Sequence, residues 1–443
     1  MLCIATVLAA VSATAHQGRA AVQAACGKLL PPAQGVYFGV YAGWAFAPAT
    51  FDDVADPSRV SGFESYTGRR VVFAPWSISW HGRLTFPTAD VEAMWRAGYV
   101  PQIRLFNWPT QDYAPVPQPT PPGPIPNSDI AAGKHDGELR AFADAARDTD
   151  IPISFDYDGE MTAAHPWGGR FDGGGTTTGY GDPTWPDGPE HFRDAYRHII
   201  DIFRQEGATN VTFFIQYNTV DGYAPGAYWE PWERYRYYYP GDDYIDWLGL
   251  SVYSEPDYSG RPQTFEGKLT GALKPGYEGG YAEVTALGSK PLAIVEMGLY
   301  KLPSEQAKAQ WVEDASAALQ SGRYPRIAAV DWWAQNKGGD YDGYPNTSQT
   351  FLDGFKHAFD QPFFDAKAQF SGDCRPLAPA HATLKRGRLS WTPAPNAVSY
   401  EVWRGRTKLK VTGGTGLTVG KKPGPYRVRG VNIVGFGPFT SAR

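Results

Sequence analysis

The stretch K-P-L-A-I-V-E-M-G, residues 290–298, is a nearly continuous apolar run that carries one acid, Glu296. Such runs are typical of a parallel β-strand covered on both faces, because neither face has to meet water. Leu292, Ile294 and Glu296 would share one face, since side chains of a strand alternate with a period of two. The stretch therefore predicts a buried parallel strand that presents a carboxylate near its carboxyl end.

Seven other apolar runs of similar length occur along the chain. In chain order, the eight runs span residues 35–43, 70–78, 99–108, 153–161, 210–218, 244–253, 290–298 and 327–335. Segments with the spacing of amphipathic helices separate several of them. These segments lie at residues 136–150, at 192–203, after the capping residue Ser304, and at 347–359.

Alternation of strands with helices over residues 35–366 predicts an α/β fold, and eight strands fit a (β/α)8 barrel, also called a TIM barrel. The active site of such a barrel lies at the carboxyl ends of its strands. A doubly wound open sheet is the alternative. It has no support from a glycine fingerprint for a dinucleotide or from a phosphate-binding loop.

The N-terminal fifteen residues, M-L-C-I-A-T-V-L-A-A-V-S-A-T-A, form an apolar run that ends in small residues. This pattern is typical of a secretory signal peptide, so residues 1–15 predict export, and the run is too short to span a membrane. Residues 16–34 then form a tail. In an oxidising compartment Cys26 and Cys374 could form a disulfide, with two unpaired thiols as the alternative.

The sequence changes character after residue 366. Residues 367–378 are expected to form a linker, followed by short alternating strands in R-L-S-W-T-P, S-Y-E-V-W-R-G and Y-R-V-R-G-V-N-I-V-G-F-G-P. Residues 379–443, with Trp391, Tyr400 and Tyr426 as core aromatics, resemble a fibronectin type III module. The resemblance implies a small all-β sandwich that acts as a spacer or docking domain.

The composition argues against several classes of function. A net charge of −5 over 443 residues shows no basic footprint for nucleic acid or an anionic membrane. The eight histidines show no metal-ligand spacing such as H-E-x-x-H, so neither a metal nor another cofactor is expected. The 15 Trp and 26 Tyr residues fit either core packing or apolar platforms for sugar rings.

Two glutamates end apolar runs: Glu160 in the fourth and Glu296 in the seventh. Both carboxylates should point into the mouth of the barrel from roughly opposite sides. Glycoside hydrolysis requires two carboxyl groups that flank the scissile bond, one of them protonated and the other ionised. Either glutamate alone could be a rim residue in a structural ion pair, but the two together favour a hydrolase site.

The fourth run, I-S-F-D-Y-D-G-E-M (153–161), places Asp156, Asp158 and Glu160 on alternate residues. A strand would turn all three acids to its inward face, with Glu160 outermost. We expect the two carboxylates behind Glu160 to disfavour its ionised form and so to raise its pKa. A raised pKa suits a general acid.

Five stretches carry a family resemblance. They are F-G-V-Y-A-G-W (38–44), G-K-H-D (133–136), Y-R-H-I-I-D-I-F-R-Q-E-G-A-T-N-V (196–211), Y-P-G-D-D-Y-I-D-W-L-G-L-S-V-Y (239–253) and K-P-L-A-I-V-E-M-G (290–298). With them, the region from residue 35 to about residue 360 resembles glycoside hydrolase family 26, best known for β-mannanases and part of the clan of retaining (β/α)8 enzymes. The resemblance implies Glu160 as general acid/base, Glu296 as nucleophile, and net retention of configuration.

Substrate-binding residues follow from the resemblance and from the strand ends. Tyr253 lies where the family has a tyrosine that hydrogen-bonds the nucleophile. Trp333, which should face the same way as Asp331, lies where such enzymes have an aromatic floor for the sugar. The remaining residues expected to bind substrate are Trp44, Trp80, His81, Trp108, Asp158, Trp167 and Asn218.

The chain departs from the family around its acid/base. The family usually reads R-F-G-H-E-M-N-G there, whereas this chain has Asp156 in place of the Arg and Gly159 in place of the His. Thr162 and Ala163 replace the final Asn-Gly. These departures bear on substrate specificity more than on fold or mechanism.

The same acids admit a different mechanism. The D-x-D-x-E spacing of residues 156–160 matches that of family 18 chitinases. Those enzymes use the Glu as acid and the N-acetyl group of the substrate as nucleophile, oriented by the middle Asp. Glu296 would then be dispensable.

The sequence thus predicts a secreted, monomeric, retaining endo-β-glycanase that acts on a β-linked polysaccharide, with β-1,4-mannan as the leading substrate. β-1,3-Xylan and β-glucan stay open as substrates within the same class. A barrel that binds carbohydrate without cleaving it is the alternative from a different class.

Overall fold

The computed structural model describes most of the chain. The described residues are 26–46, 53–80, 83–107, 125–162, 168–219, 230, 232–256, 261–271, 278–336, 341–420 and 424–443. The predicted signal peptide, the residues 16–25 of the predicted tail, and the site residues His81, Trp108 and Trp167 lie outside them.

Eight parallel strands close into a barrel, in chain order around the ring, which confirms the predicted (β/α)8 fold. Each of the eight apolar runs contributes one strand. The strands are β1 Tyr37–Tyr41, β2 Phe73–Ser79, β3 Val100–Phe106, β4 Ile153–Tyr157, β5 Val211–Asn218, β6 Trp247–Tyr253, β7 Leu292–Gly298 and β8 Ile327–Trp333. Nearly every residue in them is buried, because side chains fill the interior and helices cover the outside.

Helices cover the outside of the barrel. They are α1 Pro57–Thr67, α2 Thr88–Ala97, α3 Asn127–Ala131, α4 Asp136–Thr149, α5 Asp187–Gln205, α6 Tyr235–Tyr238, α7 Phe265–Thr270, α8 Gly280–Thr285, α9 Glu305–Gln320 and α10 Gln349–Phe359. The four segments with helical spacing in the sequence form α4, α5, α9 and α10. In α5 the apolar positions Phe192, Tyr196, Ile199, Ile200 and Phe203 are all buried, as the amphipathic pattern requires.

Two-residue strands brace the ends of the barrel. Leu29–Leu30 pairs antiparallel with Gln369–Phe370, and Ala45–Phe46 pairs with Asp53–Val54. The first pair brings Cys26 beside Cys374, where both are buried free thiols rather than a disulfide. The Cys374 thiol donates to the Cys26 carbonyl at 3.1 Å. A hydrogen bond with the Cys26 thiol, together with burial, raises the pKa of Cys374.

Residues after the barrel form a separate β-domain with two antiparallel sheets. Its core contains the predicted aromatics Trp391, Tyr400 and Tyr426. The strands are β9 Ala382–Lys385, β10 Arg388–Trp391, β11 Ser399–Arg404, β12 Thr407–Thr412, β13 Gly416–Thr418, β14 Tyr426–Asn432, β15 Gly435–Phe436 and β16 Thr440–Ser441. One sheet contains β9, β10 and β13, and the other contains the remaining five strands. The fibronectin type III identity of this domain stays a prediction.

Among the described residues, no helix has both the length and the apolar character needed to cross a membrane.

The start of α9 provides a test of the sequence-based assignment. The Ser304 hydroxyl accepts a hydrogen bond from the backbone N–H of Ala307 at 3.1 Å, so it satisfies one of the unpaired donors of the first turn. We expect Ser304→Ala to lower the free energy of unfolding by about 1 kcal/mol in urea denaturation. Ser304→Asp, which keeps an acceptor at the cap, should restore most of this loss. Equal losses in both variants would contradict a capping role.

Candidate active site

Glu296 lies in β7 at the carboxyl end of the barrel, where three other strands contribute side chains that hold it. Tyr253, at the end of β6, donates its hydroxyl to Glu296 Oε2 at 2.6 Å. Gln216 of β5 donates Nε2 to Oε1 at 3.0 Å, and the Arg104 guanidinium of β3 forms an ion pair with the same oxygen. Because Glu296 and Arg104 are each about 5% exposed, the pair is almost fully removed from water.

The balance of these contacts sets the charge of Glu296. Burial raises the pKa of its carboxyl group above the ordinary value, and the nearby Glu160 carboxylate raises it further. Arg104 and the hydrogen bonds from Tyr253 and Gln216 act in the opposite direction. The ionised form that a nucleophile needs therefore depends on these three neighbours.

Glu160 lies in the turn after β4 rather than on the strand itself. β4 ends at Tyr157, and both Asp158 (φ 48°) and Glu160 (φ 63°) have left-handed backbone conformations. The turn is fixed by backbone hydrogen bonds from Asp158 to Leu105 (2.8 Å) and from Glu160 to Gln216 (3.0 Å). A left-handed conformation is costly for a residue other than Gly, so the surrounding contacts must impose it.

The expectation that Asp156, Asp158 and Glu160 share one inward face is therefore wrong. The alternation of a strand holds only while the backbone is extended, and it stops at Asp158. Asp156 faces inward, whereas Asp158 has no exposed surface and accepts a hydrogen bond from the backbone N–H of Asn107 at 2.8 Å. Its burial raises the pKa of Asp158 well above the ordinary value.

The half-buried Glu160 is an electrostatic neighbour of Glu296. Burial is the main cause of the raised pKa values of Glu296, Tyr253 and Tyr341, and the Glu160 carboxylate adds to each of them. The same carboxylate stabilises the charged form of Arg104. The two glutamates singled out by the sequence thus lie near enough at the mouth of the barrel for their carboxyl groups to interact electrostatically. Two neighbouring carboxyl groups in one cleft are the first requirement for a two-carboxylate hydrolase.

Two further carboxyl groups lie beneath the glutamates on the inward face of the barrel. Asp156 is the direct cross-strand neighbour of Arg104, and Asp331 of β8 also interacts with this arginine. Both are about 1% exposed, and none of their carboxyl oxygens has a hydrogen-bond partner among the described side chains and backbone. Burial raises the pKa of Asp156 to about 7, against the opposing effect of Arg104, and raises that of Asp331 well above the ordinary value.

Gly159 leaves space for a group of side chains that we call the Arg104 cluster, namely Arg104, Asp156, Gln216 and Glu296. A Cβ at this position would lie 2.7 Å from Gln216 Oε1, 2.9 Å from Asp156 Oδ2 and 3.0 Å from the Arg104 guanidinium. The side chains of the cluster therefore occupy the space that a larger residue 159 would need. This gives a physical reason for the glycine at one of the two main departures from the family motif.

Of the three tryptophans expected as platforms in the described residues, Trp333 alone is not fully buried. Trp333 faces inward, stacks on Tyr41 with ring centroids 3.8 Å apart, and lies over the Arg104 guanidinium at 5.6 Å. Its neighbour Trp332 points outward and packs against Phe355. The parity assignment of Trp333 is thus confirmed.

The expectation that Trp44 and Trp80 offer open surfaces for stacking is wrong. They are 3% and 1% exposed. Trp44 donates its indole N–H to the Pro75 carbonyl at 2.7 Å, and Trp80 donates to Glu138 at 2.7 Å. Both rings pack into the core, where Trp44 contacts the Tyr41 ring and Trp80 contacts the His135 ring.

Asn218 ends β5 at the same rim of the barrel and is half-buried. Its backbone carbonyl accepts a hydrogen bond from Tyr235, and its backbone N–H donates to the Thr162 hydroxyl at 3.3 Å. The substrate-binding role of Asn218 stays a prediction.

Sequence reasoning missed Arg104, Gln216 and Tyr41 as parts of the site. A signal for the first two was present, since each is a polar residue inside an otherwise apolar strand and must therefore find a partner in the interior. Tyr41, which stacks on Trp333, has no such signal. Its hydroxyl donates to the Asp53 carboxylate at 2.9 Å.

No group of three or more His, Cys, Asp or Glu side chains in the described parts of the chain is arranged to hold a metal ion.

Comparison with known proteins gives distant relatives. No protein-family model matches the chain. Endoglucanase H from Acetivibrio thermocellus is 23% identical over 308 residues, which are 68% of this chain and 29% of the relative. The chain thus spans less than a third of the length of that curated relative.

Solved structures of β-mannanases are also similar to this chain. A family 26 β-mannanase from Bacteroides ovatus has 17% identity and a TM-score of 0.47, covering 75% of this chain and 90% of that one. The catalytic domain of a family 26 endo-β-1,4-mannanase from Bacillus sp. JAMB-750 has 17% identity and a TM-score of 0.48, covering 74% and 86%. The barrel fold of this chain is established by the pairing of its own eight strands.

Gly159→Ala tests the packing of the Arg104 cluster. The added methyl group must push Arg104 or Gln216 away from Glu296, so we expect turnover to fall by about 100-fold, the scale of a 1 Å misplacement of reacting groups. Gly62→Ala is the matched control, because a Cβ there meets nothing within 4 Å. Full activity in Gly159→Ala would show that the cluster does not position Glu296.

Asp156→Asn tests the buried carboxyl group. Its pKa of about 7 lies above the unfolded value of about 4, so the folded state holds this proton more tightly. The stabilisation is complete below about pH 4 and is lost as the pH rises to about 7, by up to about 1.4 kcal/mol per pH unit. We expect urea denaturation of Asp156→Asn to show a flatter pH dependence over this range. An unchanged slope would contradict the raised pKa.

Proposed function

We propose that this protein is a retaining endo-β-glycanase of the family 26 type, with β-1,4-mannan as its substrate. The observation that carries the proposal is the electrostatic interaction of Glu160 and Glu296 at the mouth of the barrel, with Glu296 held by Tyr253, Gln216 and Arg104. Two carboxyl groups on one cleft are the chemical minimum for hydrolysis of a glycosidic bond. The family resemblance of the sequence supports the same class.

In the proposed mechanism Glu296 attacks the anomeric carbon and forms a glycosyl-enzyme intermediate. Arg104, Gln216 and Tyr253 favour its ionised form, which is the nucleophilic one. Glu160 donates a proton to the leaving oxygen and then removes one from the water that releases the sugar.

Trp333 is the proposed floor for the sugar at the cleavage point. Its indole is half-buried, and Tyr41 stacks on one side of it, so the ring is held rigidly. A flat apolar surface of this kind fits the C–H face of a sugar ring. Trp44 and Trp80 are not part of the proposal, because both are buried.

A β-glucan is the second candidate substrate. It is favoured by the similarity to Endoglucanase H, a relative whose match covers 68% of this chain. β-1,3-Xylan stays open within the same mechanism. The chitinase-like alternative loses support, because the middle acid of its motif, Asp158, is fully buried and bonded to the backbone of Asn107, out of reach of a substrate.

Export and a monomeric state are further parts of the proposal. The support for export is the pattern of residues 1–15. A polysaccharide too large to enter a cell would be hydrolysed outside it, which fits an exported enzyme.

Substitution of the two glutamates tests the mechanism. We expect Glu296→Ala and Glu160→Gln each to lower turnover by about 10³-fold or more, since each removes a group that reacts in the transition state. Sodium azide should restore activity to Glu296→Ala by replacing the missing nucleophile. Glu92→Gln, on the outer helix α2, is the matched control and should keep full activity. An unimpaired Glu296→Ala would instead indicate substrate-assisted chemistry.

Reducing-end assays on soluble galactomannan, β-1,3-xylan and mixed-linkage β-glucan separate the candidate substrates. We expect the highest kcat/KM on galactomannan, and proton NMR should first detect the product with the β-configuration. Binding of these glycans without release of reducing ends would refute the hydrolase and favour a carbohydrate-binding barrel. First appearance of the α-anomer would refute retention.

A further inference from the structure

The β-domain is strongly basic, while the rest of the chain is strongly acidic. Residues 379–443 hold 12 of the 41 Lys and Arg residues but a single Asp or Glu, Glu401. Their formal charge is therefore +11, against −16 for residues 1–378. The net charge of −5 averages these opposite regions, so it does not exclude an anionic partner for the β-domain.

The strands of the β-domain define one end near the barrel and one end away from it. At the near end, Val398 and Ile433 pack against the hydrophobic core of the barrel. β11 runs from there to Arg404, and the antiparallel β14 starts opposite, with Tyr426 paired to Arg404. The far end of this sheet is thus at Arg404 and Tyr426.

Turns of both sheets meet at the far end. The backbone N–H of Ala442 donates to the Tyr426 carbonyl at 2.9 Å, and that of Leu384 donates to the carbonyl of the next residue, Arg443, at 3.1 Å. The end of β9 therefore lies near the paired ends of β11 and β14, so the β9–β10 and β11–β12 turns leave the two sheets at the same end. Cations in these turns form one surface.

We call this surface the distal tip. It consists of Lys385, Arg386, Arg388, Arg404 and Arg406. Among the described residues, none of the five has a carboxylate within ion-pair distance, and the ion pairs of the β-domain are those that Glu401 makes with Lys408 and Arg429. The distal tip is thus a group of cations without internal neutralisation.

Two energetically unfavourable features of the β9–β10 turn place cations at the distal tip. Arg386 has a left-handed conformation (φ 49°) at a turn position where Asn or Gly is favoured. Lys385 and Arg388 are direct cross-strand partners, and like charges in such a pair repel each other. An anion bound between these side chains would relieve the repulsion.

We propose that the distal tip binds an acidic polysaccharide, a glycan that carries carboxylate or sulfate groups along its chain. The charge of the tip calls for a polyanion. The choice of a polysaccharide among polyanions rests on the proposed glycan hydrolase function. Bound in this way, the β-domain holds the acidic barrel on a surface that would otherwise repel it.

The aromatic residue at the far end favours recognition by charge over recognition by stacking. Tyr426 is 2% exposed, and its ring belongs to the core of the β-domain. Bases of single-stranded nucleic acid bind by stacking on free aromatic faces, and the buried Tyr426 offers none. This favours a glycan over a nucleic acid.

Affinity electrophoresis of the full chain in gels that contain polygalacturonate tests the proposal. We expect retardation that weakens as salt rises, and no retardation by neutral galactomannan at a concentration below its KM. The triple variant Lys385→Gln, Arg386→Gln, Arg388→Gln should bind about tenfold more weakly, with a salt slope reduced by about one for each cation removed. Hydrolysis of soluble galactomannan should be unchanged, which also reports on folding.

Two controls sharpen the result. Arg404→Gln with Arg406→Gln removes cations from the second turn and should also weaken binding. Arg96→Gln with Lys134→Gln removes two exposed cations of the barrel region and should not. Wild-type affinity in both tip variants would overturn the proposal. So would tighter binding to single-stranded DNA, or to phosphatidylserine vesicles, than to polygalacturonate at the same salt concentration.

Failure of this proposal and failure of the proposed function can be told apart, because binding is measured without hydrolysis. Tip-dependent binding of polygalacturonate by a protein that cleaves no glycan would support the tip and refute the hydrolase. Cleavage of galactomannan by a protein that polygalacturonate does not retard would overturn the tip alone.

Discussion

The buried ion pair between Arg104 and Glu296 is the interaction on which the rest of the candidate site depends. Both side chains are almost completely excluded from water, and removing one partner of such a pair typically costs about 3–5 kcal/mol. The neighbours form hydrogen bonds with both charged groups. Tyr253 and Gln216 donate to the Glu296 carboxylate, and the Gln216 side-chain oxygen accepts from Arg104 at 2.8 Å. Because the donors come from β3, β5 and β6, the closed barrel is what holds Glu296 in place.

The same arginine faces more acids than it can neutralise. Asp156, Asp331 and Glu160 surround it together with Glu296, so one cation serves four carboxyl groups. The raised pKa values of Asp156 and Asp331 are the physical outcome, because a buried carboxyl group without a counter-charge keeps its proton. The protonation state of the candidate nucleophile is thus set by a cluster rather than by a single neighbour. Gly159 belongs to this arrangement, since any side chain at that position would displace it.

Much of the fold could be predicted from the sequence, because the patterns that mark strands and helices lie within short stretches of the chain. Apolar runs and helical spacing located all eight strands and the helices α4, α5, α9 and α10, and their order predicted the barrel. The positions of Glu160 and Glu296 followed from the rule that strand ends line the mouth. The orientation of the acids at residues 156–160 did not follow. Strand periodicity fails at the left-handed Asp158, and the turn signal in the dipeptide Asp158-Gly159 competes there with the alternation of the acids. Burial of Trp44 and Trp80 likewise depends on contacts with residues distant in the chain, Pro75 and Glu138 respectively.

The sequence by itself determined the order of strands and helices, the two glutamates, and the opposite charges of the barrel region and the β-domain, since these depend on residue type and spacing. Only the tertiary structure decided which polar side chains meet. Arg104 and Gln216 are 112 residues apart, and Gln216 and Glu296 are 80 apart, so no local pattern connects them. The cations of the distal tip were visible in the sequence, but their gathering at one end of the β-domain depends on the antiparallel pairing of its strands. Barrel closure and strand pairing bring together residues that are distant along the chain, and the chemistry of both sites arises there.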